Sequence, residues 1–328
     1  MQKKSRLSVS LDRVLCLAAI AVIGYADYGL RVPLLCAVGA VTAMLTELVC
    51  LYLRKIPFGK RHLDAAVHGV ILVMLLPPTV PFSLLIISEI AAIIIGRGVF
   101  GGGENPMLPP AAVGYCIALL SDRAAVTMFP ARKGVLPILD IDTASLTEGI
   151  SGSWNKDGIF SQHIDEWLLG LPAQPIGTCS IVLLTVIAAV LLMRRSASGF
   201  VLLPMLSFLL IGGCLYQRLR NPAAAITGTC LTNQTLFAAI FLYADPDIAP
   251  PHVGGMLFGL FSGIAVLWFT REIPVYDAPV MLAVILNPAA VLLKDMLEKE
   301  AARKQKGGAA DAERTGGSIP AAEKPHSA

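Results

Sequence analysis

The chain reads as an all-α integral membrane protein of about ten transmembrane spans in two five-helix halves, and three observations predict it. Hydrophobic side chains make up 55% of its 328 residues and charged ones only 15%, more apolar surface than a water-facing shell can hide. Ten apolar runs follow one another, five on each side of a stretch of ordinary soluble composition. A short apolar run ended by closely spaced prolines occurs twice, as GVILVMLLPPTVPF from Gly69 and FAAIFLYADPDIAPP from Phe237, each followed by another apolar run. Five spans per half is an odd number, so the halves are expected to be inverted repeats with a site near the midplane.

The first half, residues 1–120, carries the runs Val14 to Tyr28, Pro33 to Leu53, Leu63 to Leu76, Val80 to Ile95 and Met107 to Leu120. The second, 176–294, carries Thr178 to Met193, Phe200 to Leu215, Ala223 to Tyr243, Val253 to Phe269 and Ala278 to Leu293. Several fall short of the ~20 residues a perpendicular helix needs, which predicts broken or half-length helices whose freed backbone groups are satisfied by protein. Residues 121–175 are expected to form an extracytoplasmic segment. Residues 295–328, which lack a repeating apolar face, are expected to be a disordered tail. The basic start and first apolar run lack a small-residue cleavage site and read as a retained span.

Lysine and arginine resist transfer across the membrane and so set orientation. Lys3, Lys4, Arg6, Arg13, Arg54, Lys55, Lys60, Arg61, Arg97, Arg194, Arg195 and Lys294 fall on one side if both termini are cytoplasmic. The opposite loops carry Arg31, Arg218, Arg220 and Arg271. A multi-pass protein of a prokaryotic cell membrane, with both ends inside, is the expectation.

A net charge of +3 without a basic run interleaved with aromatics gives no footprint for nucleic acid. The seven cysteines stand singly inside apolar runs, so they read as small buried hydrophobes and not as metal or cluster ligands. His62, His163, His252 and His326 read as surface or interface residues. There is no H-E-x-x-H and no G-x-S-x-G.

Ionisable residues inside apolar spans cost roughly 2.5 to 3.5 kcal/mol each near the centre, so they are functional candidates. Glu47 in AVTAMLTELVCLYL and Glu89 in FSLLIISEIAAIII are the clearest, and Asp245, beside Pro246 and Asp247, is the third member of a proposed ion pathway. Asp64 and His68 stand one helical turn apart. The text GRGVFGGGENPMLPPAAVGYCIALL, from Gly96, offers glycines that permit close backbone approach, so Gly102, Gly103 and Asn105 are candidates for seating a flat ring. It lacks the Lys-Ser/Thr of a phosphate-binding loop.

That stretch, with HLDAAVHGVILVMLLPPTVPF before it and YADPDIAPPHVGGMLFGLFSGIAVLWFTREIPVYDAPVMLAVILNPAAVLL after it, resembles a known family. It includes the membrane D subunit of the Rnf ferredoxin:NAD+ oxidoreductase complex and the B subunit of the sodium-translocating NADH:quinone reductase. Where the family reads GGLGQNPFNPAxxGY this chain has GGGENPMLPPAAVGY, and for ATDPVTSP it has YADPDIAP. The resemblance implies FMN, or riboflavin, as a cofactor, with FMN joined through a phosphoester to the threonine of a D-G-x-S-G-A-T run. Here the matched run is EGISGSW, Glu148 to Trp154, and Trp154 occupies the threonine's place. Tryptophan forms no phosphoester, so covalent FMN is not expected there; Ser153 and Thr147 are the nearby hydroxyls. The family's GSIGETS reads QPIGTCS, which loses an acidic residue at Thr178.

The resemblance implies a membrane subunit that couples ferredoxin/NAD redox chemistry to Na+ or H+ movement, with other subunits of a redox complex and the lipid bilayer as its partners. The chain has no dinucleotide fingerprint, so those partners must supply the electrons. A small-solute channel, from the repeat and broken helices, and a flavin-free assembly subunit, from Trp154, are the alternatives.

Overall fold

A computed structural model of the chain describes residues 6–57, 59–99, 107–130, 136–138, 146, 174–178, 180–217, 234–272 and 277–315. Among the described residues every regular element is helical.

In the first half, α1 (Arg6–Tyr28) and α2 (Arg31–Leu53) are each 23 residues long, about 34 Å at 1.5 Å per residue, enough to cross a bilayer's apolar core. α3 (Asp64–Leu75) has only 12 residues, about 18 Å. Pro77 and Pro78 lack the N–H that would continue it, so the chain is extended at Leu76, turns so that the Val80 N–H donates to Pro77 O (3.2 Å), and is extended again at Pro81. It then enters α4 (Phe82–Ile93), which runs on as the π-helical segment Ile94–Val99. α5 (Pro110–Ser121) begins on a proline, tolerated where the first N–H has no helical partner. The short α6 (Arg123–Thr127) is capped by Asp122, which accepts from the Ala125 N–H.

The second half opens with a 3-10 turn, Ile176–Thr178, and α7 (Ile181–Met193), capped by the Ser180 hydroxyl. α8 (Gly199–Gln217) follows, then α9 (Thr235–Ala238), which continues as the π-helical segment Ala239–Tyr243. The half ends with α10 (His252–Glu272) and α11 (Ala278–Thr315). All ten predicted runs coincide with helices, the eighth being described only from Gln234 onward. Five helices are long and apolar enough to cross a membrane, and α3, α5, α7 and α8 are shorter apolar ones. The tail expected to be disordered from Asp295 is helical as far as Thr315. Its Ala, Glu, Lys and Arg favour the helix even though no apolar stripe runs along it.

The two halves pack alike. In the first, α2 lies against α3 and α4, and α5 against the same two; in the second, α8 lies against the π-helical end of α9 and against α10, and α11 against the same two elements. The halves meet through α5 with α11 and α1 with α7, which are corresponding helices. The two breaks lie at opposite ends of the bundle. The one after α3 is held by Arg31, beside the Tyr28 end of α1, whereas the one after α9 reaches Arg13, about four turns or 22 Å back along α1. That is the disposition an inverted repeat produces.

Polarity is distributed inside out. Leu15, Val22, Ile87, Ile211, Leu257 and Ile285 point outward, while Asp12, Arg13, Arg31, Glu47, Glu89, Arg97, Asp245 and Asp277 are buried. A water-soluble bundle would reverse this.

Candidate functional site

Arg31 stands at the start of α2 and is 2% exposed. Its guanidinium donates to the carbonyls of Pro78 (2.6 Å), Val80 (2.9 Å), Pro137 (3.3 Å) and Ile138, and it lies 5.1 Å from the centre of the Phe82 ring. These bonds satisfy the backbone that the break after α3 leaves unpaired. In the second half Lys294 of α11 donates to Pro246 O (3.1 Å) and Asp247 O (2.6 Å), and the Ser198 N–H to Ala244 O (2.8 Å). Each break therefore has its own cation.

At the opposite end from Arg31 the charges pair off. Arg13 donates to Asp245 at 2.7 Å. Arg194 and the Ser196 hydroxyl bind Asp12, the former at 2.8 Å. Asp64 accepts from Ser10 (2.8 Å), meets His68 at 3.3 Å and lies 3.8 Å from Arg97. Arg97 also approaches Glu47 (3.4 Å), which is 3.0 Å from His62. The sequence treats Glu47 and Asp245 like Glu89, as ionisable groups in apolar text, but the fold gives both counter-charges. His62, expected at a surface or interface, is 3% exposed because it serves Glu47.

Glu89 differs. It lies about 10 Å along α4 from Phe82 and about 12 Å from Arg97, halfway between the two ends. It is 1% exposed, and neither carboxyl oxygen has a hydrogen-bond partner. A Cβ placed on Gly39 would stand 3.4 Å from Glu89 Oε1, and one on Gly69 would meet Gly39 O at 2.7 Å. The carboxyl thus sits where α4 faces the close crossing of α2 and α3. A bare charge there is expensive, so the group must carry a proton or hold a cation.

A seam joins the halves where α3 ends. Gln234 Nε2 donates to Leu75 O (2.9 Å) and Tyr115 Oη (3.3 Å), and the Tyr115 hydroxyl donates to Asp277. Gly177 packs so closely on Met74 that a Cβ would meet its carbonyl oxygen at 2.7 Å. Thr178, where the acidic residue of the resembled text is missing, turns its hydroxyl onto Pro175 O.

Gly102, Gly103, Asn105, Thr147, Ser153 and Trp154 lie outside the described residues. The ends of the glycine-rich stretch are in view: a Cβ on Gly96 would stand 2.8 Å from Pro110 Cα, so α4 and α5 touch there. Sequence reasoning missed Arg31, Gln234 and Asp277 as interior residues. Gln234 had a visible signal, an amide within an apolar run; Arg31 and Asp277 flank runs and look like loop charges.

Fold and interior together define a multi-pass, all-helical membrane protein built from two like-packed five-helix halves, with an unpaired carboxyl buried in the first. The family model described as "NQR2, RnfD, RnfE family" matches residues 2–303, and the chain belongs to that family. Among its relatives is the D subunit of an ion-translocating oxidoreductase complex of Sodalis glossinidius, 27% identical over 82% of this chain and 86% of the relative. Proteins of the same description from Halorhodospira halophila (26%; 82% and 83%) and Vibrio cholerae (26%; 83% and 87%) are similar over comparable lengths.

Proposed function

We propose that the chain is the membrane subunit of an electron-transport complex that couples redox chemistry to Na+ or H+ translocation, and that Glu89 takes up the ion within it. The observation that carries the role of Glu89 is a mid-depth carboxyl without a partner, in a bundle whose other described spanning acids, Glu47 and Asp245 among them, are paired. Family membership and the names of its relatives support the wider setting. The other subunits supply electrons, and lipid surrounds the apolar outer face. The protein sits in the cell membrane with both termini cytoplasmic; the basic residues of the paired network supply the charge bias.

Trp154 carries no hydroxyl, so the chain's own residues do not fit a phosphoester to FMN at the position the family uses. The protein holds flavin there by noncovalent contact or acts without it, the second making it a flavin-free assembly subunit.

Glu89→Gln in the assembled complex, reconstituted into liposomes, tests the ion role. Ion uptake is expected to fall at least tenfold while electron transfer measured with an ionophore persists. Unchanged uptake defeats the role of Glu89.

A further inference from the structure

A second unpaired group lies at the seam. Gln234 and Thr235 are fully buried, and Gln234 Oε1 and Thr235 Oγ1 have no hydrogen-bond partner. Both amide hydrogens of Gln234 are committed, one to Leu75 O and one to Tyr115, and the Tyr115 hydroxyl hydrogen goes to Asp277. What remains unmatched is the Gln234 carbonyl oxygen, an acceptor, and the Thr235 hydroxyl, whose oxygen keeps its lone pairs free. Leu75 is the last residue of α3, whose C-terminal carbonyls carry the negative end of the helix dipole toward the same place. Arg123, the base acting on Asp277, is exposed. The carbonyl end of α3 and the Asp277 carboxylate disfavour an anion here, and an apolar group would leave Gln234 Oε1 and Thr235 Oγ1 unsatisfied.

We propose that Gln234 Oε1 and Thr235 Oγ1, beside the carbonyl end of α3 and with Asp277 behind Tyr115, form a resting site for a small monovalent cation at the seam between the halves. Hard oxygen donors suit such an ion. The site deepens the reading of the chain as an ion-carrying subunit and rests on it. It adds a second station, built from both halves, to the one at Glu89.

Thr235→Val tests it, because the change removes one oxygen and keeps the volume. For a hydroxyl that is merely orphaned, a methyl in its place is neutral or stabilising. The melting temperature of the purified complex is measured across sodium chloride concentrations, with choline chloride keeping ionic strength constant. Wild type is expected to melt higher in sodium, and the half-maximal sodium concentration to rise at least tenfold in Thr235→Val and in Gln234→Leu. Absence of a sodium-specific shift in wild type, or a shift that both variants leave unchanged, overturns the site. A shift lost in Glu89→Gln but intact in Thr235→Val assigns the ion to Glu89 alone; it overturns the seam site and leaves the role of Glu89 standing.

Discussion

Arg13, two turns into α1, closes on Asp245 across 232 positions of sequence, with Nη2 donating to Oδ1 at 2.7 Å. The bond ties the first helix of one half to the break in the other. Asp245 also accepts from the Asp247 N–H at 2.9 Å, which fixes the turn after α9.

Removing one partner leaves the other charge buried and alone. Arg13→Ala or Asp245→Asn is therefore expected to destabilise by about 3 to 5 kcal/mol. Replacing both with Met and Leu restores most of the loss. Melting of the detergent-solubilised variants checks this, and equal loss in the single and double variants would refute it.

The α2–α3 crossing rests on two glycines. A Cβ on Gly69 would meet Gly39 O at 2.7 Å and Ala43 Cβ at 2.9 Å, both on a packed helix that cannot give way cheaply. Gly69→Ala is expected to cost about 1 to 3 kcal/mol. At Gly59 the nearest atom is 3.9 Å away, so Gly59→Ala is the neutral control. Equal melting temperatures for the two variants would contradict the crossing.

Orientation is open to labelling. A cysteine introduced at Asn155 is expected to react with a membrane-impermeant maleimide in sealed cells, and one near the C-terminus only after permeabilisation. The reverse pattern inverts the assignment made from the basic residues.

Flavin attachment has its own measurement. The protein, coexpressed with a flavin transferase and its partner subunits, is expected to give no fluorescent band on a denaturing gel, since Trp154 offers no hydroxyl. A band that disappears in Ser153→Ala would place the phosphoester one residue early. A band that survives would direct attention to Thr147.

Much of the architecture was legible in the chain because membrane crossing is a compositional demand. Ten apolar runs map onto ten helical segments, and the closely spaced prolines after Leu75 and Tyr243 mark both breaks, whereas the single prolines Pro204 and Pro288 are carried inside α8 and α11. Composition likewise singled out Glu47, Glu89 and Asp245 as costly. It could not separate Glu47 from Glu89. Partnership depends on which helices pass one another, and only the tertiary structure brings His62 and Arg97 to Glu47, carries Arg13 to Asp245 and leaves Glu89 alone at the glycine crossing. The seam of Gln234, Tyr115, Asp277 and Leu75 was beyond sequence for the same reason: its members come from four separated segments, and hydrogen bonding acts over about 3 Å of space, whatever the separation along the chain.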